Sequence, residues 1–275
     1  MTRSKALASL LNEADGPELA LLIQTLCHGR KGCEETVRWV ARYGKEPAKG
    51  RARKVILFWK SQEADVAEWD SLDLSSWEGL EQFCWTIAEA LDPGFCREEG
   101  VQALDEWARW VESDLESHDG RPKDGLKALR NALVGQAGLR GNHTDYYAPD
   151  NSLMSRLVAT REGLPLTLSL AYIFVGRRVG LEVEGLNTPG HFLAMLENRV
   201  FDPFFGGVEL GPGELADRFG ETAEAWIYPE MFRATPLVTG VRMLTNLANS
   251  LERAGRSRDL QRVHRWLRLL QQLPA

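Results

Sequence analysis

The chain is predicted to be an α+β protein that is mostly helical, with one buried helix packed against a small antiparallel sheet. Over most of its length, apolar residues recur at three- and four-residue spacing, as in amphipathic helices. The segment from 165 to about 179 is apolar on nearly every side, so it should be a central, buried helix. Three short apolar runs between 181 and 202, separated by turn residues, are typical of an antiparallel meander.

Residues 1–60 are predicted to form an N-terminal helical region. Leu7, Leu10 and Leu11 recur at helical spacing, and similar patterns follow up to residue 43. The segment GKEPAKG at 44–50 has breakers at both ends and is predicted to be a linker. The apolar run VILFW at 55–59 is too short for periodicity to separate a strand from a buried helix turn, so both remain open.

Residues 61–235 are predicted to hold the core, preceded by acidic helices. From 61 to 117 there are 16 acidic side chains against two basic ones. Asp150 or Asn151 is expected to cap a helix, and the central helix should begin near Pro165, whose missing N–H costs nothing in a first turn. Strands are expected at 181–186, 191–196 and 199–202, with a tight turn at Glu197 and Asn198.

Residues 236–275 are predicted to form a C-terminal helical hairpin. Leu244, Leu247 and Leu251 share one helical face, and Gly255 separates this segment from a second apolar pattern that includes Val263. Because no second copy of comparable quality precedes it, a repeat array is not predicted.

Composition argues against a membrane protein and a metal protein. No segment approaches the roughly 20 apolar residues needed to span a bilayer, and the first residues lack a convincing signal-peptide cleavage site. The chain is therefore expected to be cytoplasmic. Its four cysteines form no C-x-x-C pair and have no histidine at a zinc-ligand spacing, so neither a metal nor another cofactor is predicted.

The charge is unevenly distributed. Residues 30–60 carry ten basic and three acidic side chains, and residues 251–270 carry six arginines against two acidic side chains. The basic runs lack interleaved aromatic residues and the whole chain has a net charge of -6, so nucleic acid is not an expected partner. Opposed charge blocks either attract one another within the fold or present a polar face to a protein partner.

A lone histidine and a lone aspartate follow the central helix. His191 opens one predicted strand, and Asp202 ends the next one, eleven residues later across a hairpin. Thiol acyl transfer needs a nucleophile at a helix N-terminus, a histidine, and a carboxylate that orients the histidine. Here the helix N-terminus holds Pro165, Leu166 and Thr167, so the thiol is missing.

An ordered set of motifs between residues 138 and 207 resembles the SirB-like branch of the transglutaminase-like superfamily, whose members share a papain-like α+β core. Each motif alone is weak, but the ordered set is strong. The C-terminal helices also resemble this family, whose last part is tetratricopeptide-like. The motifs are Gly141-Asn142, Asp145-Tyr146, Asn151-Ser152, GLPLTLS at 163–169, PGHF at 189–192 and DPF at 202–204.

The resemblance aligns His191 and Asp202 with the catalytic histidine and aspartate of the superfamily, and it puts Thr167 at the position of the nucleophilic cysteine. A threonine hydroxyl is a poor nucleophile without a dedicated base. The SirB-like branch commonly lacks that cysteine, so the departure agrees with the branch. The missing cysteine, the aromatic loop Tyr146-Tyr147 and the added helices at both ends favour a non-catalytic protein that uses the cleft or its helical additions to bind a protein or peptide partner. Asn142, Tyr146 and Asn151 are expected to line the cleft.

Two other interpretations stay open. The chain is either an enzyme with altered chemistry, a hydrolase or acyltransferase using His191 as general base on water, or a structural module acting through its basic helices. Each residue also has a structural interpretation. Thr167 would cap the helix, the residues assigned to the cleft would fix loops, and Asp202 would hold a buried His191 or cap a turn.

Overall fold

The computed structural model describes residues 3–63, 73–92, 95–116, 124–219 and 228–272. These residues are mostly helical and include a small antiparallel sheet, which confirms the predicted α+β class. The chain divides into two compact units. The first comprises Met1–Leu72 and Thr86–Arg97, and the second comprises Asp73–Trp85 and Glu98–Ala275.

The first unit is helical throughout its described residues before 64. Residues 55–59, for which the sequence left strand and helix open, lie within a helix. The buried core includes Leu11, Val37 and Val55, and the indole Nε1 of Trp59 donates hydrogen bonds to the carbonyl oxygens of Leu26 (3.1 Å) and Cys27 (2.9 Å). The helices are α1 Arg3–Glu13, α2 Gly16–His28, α3 Arg30–Tyr43 and α4 Ala48–Glu63.

Most of the second unit is also helical, and its helix boundaries follow local backbone chemistry. The helix expected to be capped by Asp150 or Asn151 begins instead at Met154, because Pro149–Ser152 form a 3-10 turn and Leu153 has extended backbone. This capping prediction was wrong. A π-helical turn, Asn131–Gln136, continues α7. The helices are α5 Trp77–Leu91 (shared by both units), α6 Arg97–Glu116, α7 Gly125–Arg130, α8 Met154–Thr160, α9 Pro165–Arg178, α10 Pro212–Phe219, α11 Pro236–Arg253 and α12 Ser257–Leu270.

The sheet is an antiparallel meander in which consecutive strands are neighbours. Gly190, with φ of +71°, forms the turn between the first two strands of the meander, and Glu197 and Asn198, with φ of 52° and 63°, form the next. Both turns need the left-handed region, and two consecutive positive φ values match the twist of a hairpin. The strands are β1 Arg140–Gly141 and β2 Glu162–Gly163, which pair in parallel apart from the meander, and β3 Glu184–Thr188, β4 His191–Leu196, β5 Arg199–Asp202 and β6 Val208–Glu209 within it.

Helix α9 is the centre of the second unit, as its all-round apolar sequence predicted. Twelve of its fourteen residues are buried. It packs on one face of the meander, where the rings of Tyr172 and Phe201 lie 5.3 Å apart. Gly185 in β3 permits this packing, because a Cβ there would come within 2.7 Å of the Phe192 ring. The other face carries Leu193 and Met195 in a cluster that includes Leu215 of α10.

An ion-pair network joins three helices of the second unit. The guanidinium of Arg178 on α9 donates two hydrogen bonds to the Glu81 carboxylate of α5, both 2.7 Å long. Its Nε donates a third, also 2.7 Å, to Asp105 of α6. Glu81 is only 7% exposed, and it also accepts a hydrogen bond from Trp85 Nε1 at 3.1 Å. The buried carboxylate is therefore fully paired, as burial of a charge requires.

Among the described residues, no helix combines the length and the apolar character that crossing a membrane requires.

Candidate functional site

His191 and Asp202 meet at one end of the meander. His191 is the first residue of β4 and Asp202 the last of β5, and the register pairs Ala194 with Phe201. Continuing this register sets Asp202 opposite Leu193, which makes His191 its diagonal neighbour on the same face. The imidazole Nε2 lies 3.0 Å from Asp202 Oδ2. The His191 side chain is 15% exposed and that of Asp202 is 1% exposed.

Asp202 is held by three groups. Its Oδ2 contacts the imidazole of His191 and lies 3.6 Å from a guanidinium nitrogen of Arg218. Its Oδ1 accepts a hydrogen bond from the backbone N–H of Phe204 at 3.0 Å, which caps the 3-10 turn Pro203–Phe205. A carboxylate this deeply buried needs such donors to offset its lost hydration. Asp202 therefore both caps the turn and orients His191.

Aromatic rings surround the imidazole of His191. Phe219 of α10 stacks on it with centroids 5.6 Å apart, and Phe204 meets it edge-on at 6.2 Å. Phe205 lies at 6.5 Å. These rings restrict the orientation of the imidazole, so that the pair with Asp202 is fixed by packing as well as by the hydrogen bond.

Thr167 is occupied by the backbone around it. Its Oγ1 accepts a hydrogen bond from the Leu164 N–H at 2.8 Å and lies 3.1 Å from each of the carbonyl oxygens of Leu164 and Asn151, to which it can donate. The side chain belongs to the first turn of α9, and the residue is only 1% exposed. Within the described part of the chain, Thr167 forms no hydrogen bond with His191.

Asn142 and Asn151 fix the loop between β1 and α8. The Asn142 amide donates to Asn151 Oδ1 at 3.1 Å, and the Asn151 amide donates to the carbonyl oxygens of Asp145 (2.6 Å) and Tyr146 (3.3 Å). Asn142 Oδ1 in turn accepts the backbone N–H of Asp145 at 3.0 Å. These bonds position the tyrosine pair Tyr146 and Tyr147, whose rings contact each other at 5.2 Å.

A cavity of about 140 Å³ lies beside His191. Of the three residues expected to line a cleft, Tyr146 borders this cavity, whereas Asn142 and Asn151 do not. Thr167 does not border it either. The first turn of α9 contributes Leu164, Pro165 and Leu166 to its wall.

One side of α11 forms the rest of the wall, and the sequence analysis missed it. The residues concerned follow a spacing of four, three, one and three, which places them on one side of a helix. They lie beside the apolar residues that pack α11 against the core. The sequence signal that could have identified them is a row of polar residues next to the predicted core face of this helix. The residues are Arg242, Asn246, Asn249, Ser250 and Arg253.

The two arginines of this wall contact neutral groups. Arg242 donates one hydrogen bond to Asn187 Oδ1 and another, 2.8 Å long, to the carbonyl oxygen of Thr188. Arg253 stacks on the ring of Tyr147, with 4.1 Å between the guanidinium carbon and the ring centroid. Burial lowers the pKa of Arg242, while nearby Tyr146 acts in the opposite direction. Among the described residues, no carboxylate forms an ion pair with either arginine.

In the described ranges, no group of three or more histidine, cysteine, aspartate or glutamate side chains is arranged to hold a metal ion.

Comparison with known proteins gives the family. Residues 98–245 match the family model of the transglutaminase-like superfamily, which is more than half of the chain. The chain belongs to the transglutaminase-like superfamily. The matched region of this transglutaminase-like chain contains Thr167, His191 and Asp202, and it ends inside α11, after Arg242 but before Asn246 and Arg253.

Several curated proteins are similar to this transglutaminase-like chain. A UPF0162 protein of Xylella fastidiosa (strain 9a5c) is 34% identical over 150 residues, which is 49% of this chain and 53% of that protein. A UPF0162 protein of Vibrio cholerae is 23% identical over 112 residues, covering 40% of this chain and 39% of that protein. F-box only protein 21 of Mus musculus is 38% identical over 68 residues, covering 25% of this chain and 11% of that protein.

These relatives confirm the predicted SirB-like branch, to which UPF0162 proteins belong. The chain spans about half the length of the UPF0162 proteins of Xylella fastidiosa that it matches. No solved structure matches the chain.

Proposed function

We propose that this chain is a non-catalytic transglutaminase-like protein that binds a protein or peptide in the cavity beside His191. The main support for this proposal is the environment of Thr167. The residue at the position of the nucleophile is buried, and its hydroxyl is bonded to the backbone of Leu164 and Asn151. A hydroxyl in this role is a helix cap and lacks the adjacent base that an activated nucleophile needs.

On the side of the cavity formed by the start of α9, the described residues also include no nucleophile. The α9 residues bordering it are Leu164, Pro165 and Leu166. In the second unit, Cys84 is fully buried beside Met243, and burial raises the pKa of its thiol, so the thiolate is disfavoured. The described residues of this unit thus offer no thiolate near His191.

The His191–Asp202 pair suits a binding role without chemistry. Asp202 engages Nε2, so Nδ1 is the ring nitrogen left for a ligand. Stacking on Phe219 fixes the direction in which that nitrogen bonds. A pre-oriented hydrogen-bonding group beside a partly apolar cavity is what recognition of a peptide segment requires.

A second candidate function is hydrolysis or acyl transfer with His191 as general base. One observation favours it, since His191 borders a cavity and has a carboxylate partner, as a general base must. Arg242, which also lines the cavity, would then stabilise an oxyanion.

A peptide-display selection on the purified full chain tests the proposal. Enriched peptides are labelled, and their affinities are measured by fluorescence anisotropy for the parent chain, His191→Ala and His264→Ala. His264 is an exposed residue of α12 outside the cavity and serves as the matched control. We expect His191→Ala to weaken binding about tenfold, by loss of a hydrogen bond to an oriented group, and His264→Ala to leave it unchanged.

The same peptides are followed by mass spectrometry for cleavage, deamidation or transfer to an added amine. We expect no turnover by the parent chain. Turnover that disappears in His191→Ala would establish the second candidate instead. Peptide binding that is equal in the parent and His191→Ala chains would refute recognition in this cavity.

A further inference from the structure

We infer that the cavity recognises a carboxylate group of its ligand through Arg242 and Arg253 of α11. The inference rests on the proposed function, because it names the chemistry of the peptide that the cavity would bind. It assigns a specificity role to residues that the His191–Asp202 pair does not include.

Among the described residues, Arg242 is a partly buried cation without a counter-ion. Its hydrogen bonds go to a side-chain amide oxygen and a backbone carbonyl oxygen, and Phe192 lies under it at 5.7 Å. Such groups fix the guanidinium but do not neutralise its charge. The free energy gained on binding an anion is larger for a desolvated cation than for a hydrated one, because folding has already removed water from the desolvated cation.

Arg253 is exposed to solvent but held in place by Tyr147. Stacking occupies one face of the guanidinium and leaves its edge, where the N–H donors lie, available for a carboxylate. The loop bonds of Asn142 and Asn151 hold the tyrosine pair, and so they position Arg253 indirectly.

The neighbouring Arg256 gives a useful contrast. It pairs with Asp150 at 3.1 Å and with Asp259 at 2.8 Å. The charge of this arginine, which has no proposed binding role, is therefore neutralised by carboxylates of the chain. Arg242 and Arg253, by comparison, have no such pair among the described residues. Asn249 and Ser250, between them on α11, add an amide and a hydroxyl that can donate to the same anion.

The size and charge of the cavity favour a carboxylate over a phosphate group. A volume of about 140 Å³ accommodates roughly one amino-acid side chain. Asp202 contributes a negative charge next to the cavity through its contact with His191, and this opposes a doubly charged group. The fork of either arginine matches the planar geometry of a carboxylate.

Titration of the full chain with small probes tests the inference, with the arginine Nε–Hε signals followed by NMR. N-acetyl-glutamate N-methylamide offers a side-chain carboxylate and N-acetyl-alanine a terminal one. N-acetyl-glutamine N-methylamide is the neutral control, and inorganic phosphate is compared at matched ionic strength. We expect saturable shifts at Arg242 and Arg253, with at least one carboxylate binding about tenfold more tightly than the neutral probe and more tightly than phosphate. The tighter of the two carboxylates identifies the source of the group.

Substitutions distinguish recognition of a carboxylate by these two arginines from a general effect of positive charge. Arg253→Gln should weaken carboxylate binding about tenfold, whereas Arg258→Gln, on an exposed position of α12, should not change it. Arg242→Lys keeps the charge but loses the fork, and it should also weaken binding while circular dichroism confirms an unchanged fold.

Equal affinity for the neutral probe, tighter binding of phosphate, or an equal loss in Arg258→Gln would overturn the inference. These outcomes differ from a failure of the proposed function. Peptides selected by the cavity without a carboxylate preference would refute the inference alone, whereas His191-dependent turnover would refute the non-catalytic function and leave carboxylate recognition standing.

Discussion

Replacing Arg178 with methionine should destabilise the second unit far more than the number of lost ion pairs suggests. The substitution keeps most of the aliphatic stem but removes all three hydrogen bonds to Glu81 and Asp105. Glu81 is then left as a nearly buried carboxylate with only the Trp85 indole as a partner. Removing one partner of a buried pair costs about 3–5 kcal/mol, because the other charge stays desolvated.

Arg199 is the matched control for this prediction. It also binds two carboxylates at similar distances, Asp124 at 2.7 Å and Glu209 at 2.8 Å. Its partners' side chains are 41% and 47% exposed, compared with 10% for Glu81. Water therefore solvates the carboxylates that Arg199→Met leaves behind, and the expected loss is about 0–1 kcal/mol.

The assay is urea unfolding monitored by pulsed hydrogen exchange of α9 peptides, which reports on the second unit alone. With a slope of about 2–3 kcal/mol/M, Arg178→Met should lower the midpoint by about 1–2 M, and Arg199→Met by less than about 0.5 M. Adding Glu81→Gln to Arg178→Met should recover part of the loss, because a neutral side chain is cheaper to bury. Equal midpoints for the two arginine variants would refute the reasoning from burial.

Three further predictions concern single side chains. Thr167→Val leaves the Leu164 N–H without its acceptor and should cost about 1–3 kcal/mol in the same exchange assay, while Thr167→Ser stays close to the parent; similar stability of both variants would contradict the capping role. Arg199 lowers the pKa values of Asp124 and Glu209. Their pairing with Arg199 therefore stabilises the fold above the usual carboxyl range near pH 4, and this stabilisation is lost as the pH falls through the lowered values. An unchanged acid-unfolding profile in Arg199→Met would disprove this. Cys84 should resist iodoacetamide at pH 8 in the native chain and react in urea, as measured by peptide mass, because burial raises the pKa of its thiol; rapid native alkylation would contradict that burial.

The meander and the buried helix were predictable because their signals are local. Twelve consecutive buried residues give α9 an apolar sequence on all sides, and Glu197-Asn198 marks a turn between two apolar runs. The start of α8 was not predictable from capping chemistry, since a 3-10 turn at Pro149 displaced it by two or three residues. The run at 55–59 could not be assigned from its own five residues, because its helical structure depends on the flanking residues of α4.

The site was only partly predictable for a similar reason. His191 and Asp202 are joined by one hairpin, so their spacing and strand register determine their contact. Arg242 and Arg253 reach the same cavity from a helix that begins 45 residues after His191 (236 − 191), and a polar stripe on a helix ordinarily indicates a solvated face. The domain boundaries, the tetratricopeptide-like nature of the hairpin, the cytoplasmic location and the absence of a nucleic-acid partner stay predictions.

Helix α11 has an apolar side and a polar side with different roles. Leu244, Leu247 and Leu251 anchor it in the protein interior, whereas the adjoining polar side forms a wall of the cavity. Under the proposed function, substitutions on the polar side would therefore change which ligand is accepted without disturbing the interior or the His191–Asp202 pair. Within a lineage of such chains, ligand preference would be free to diverge along this single helix while the scaffold stays the same.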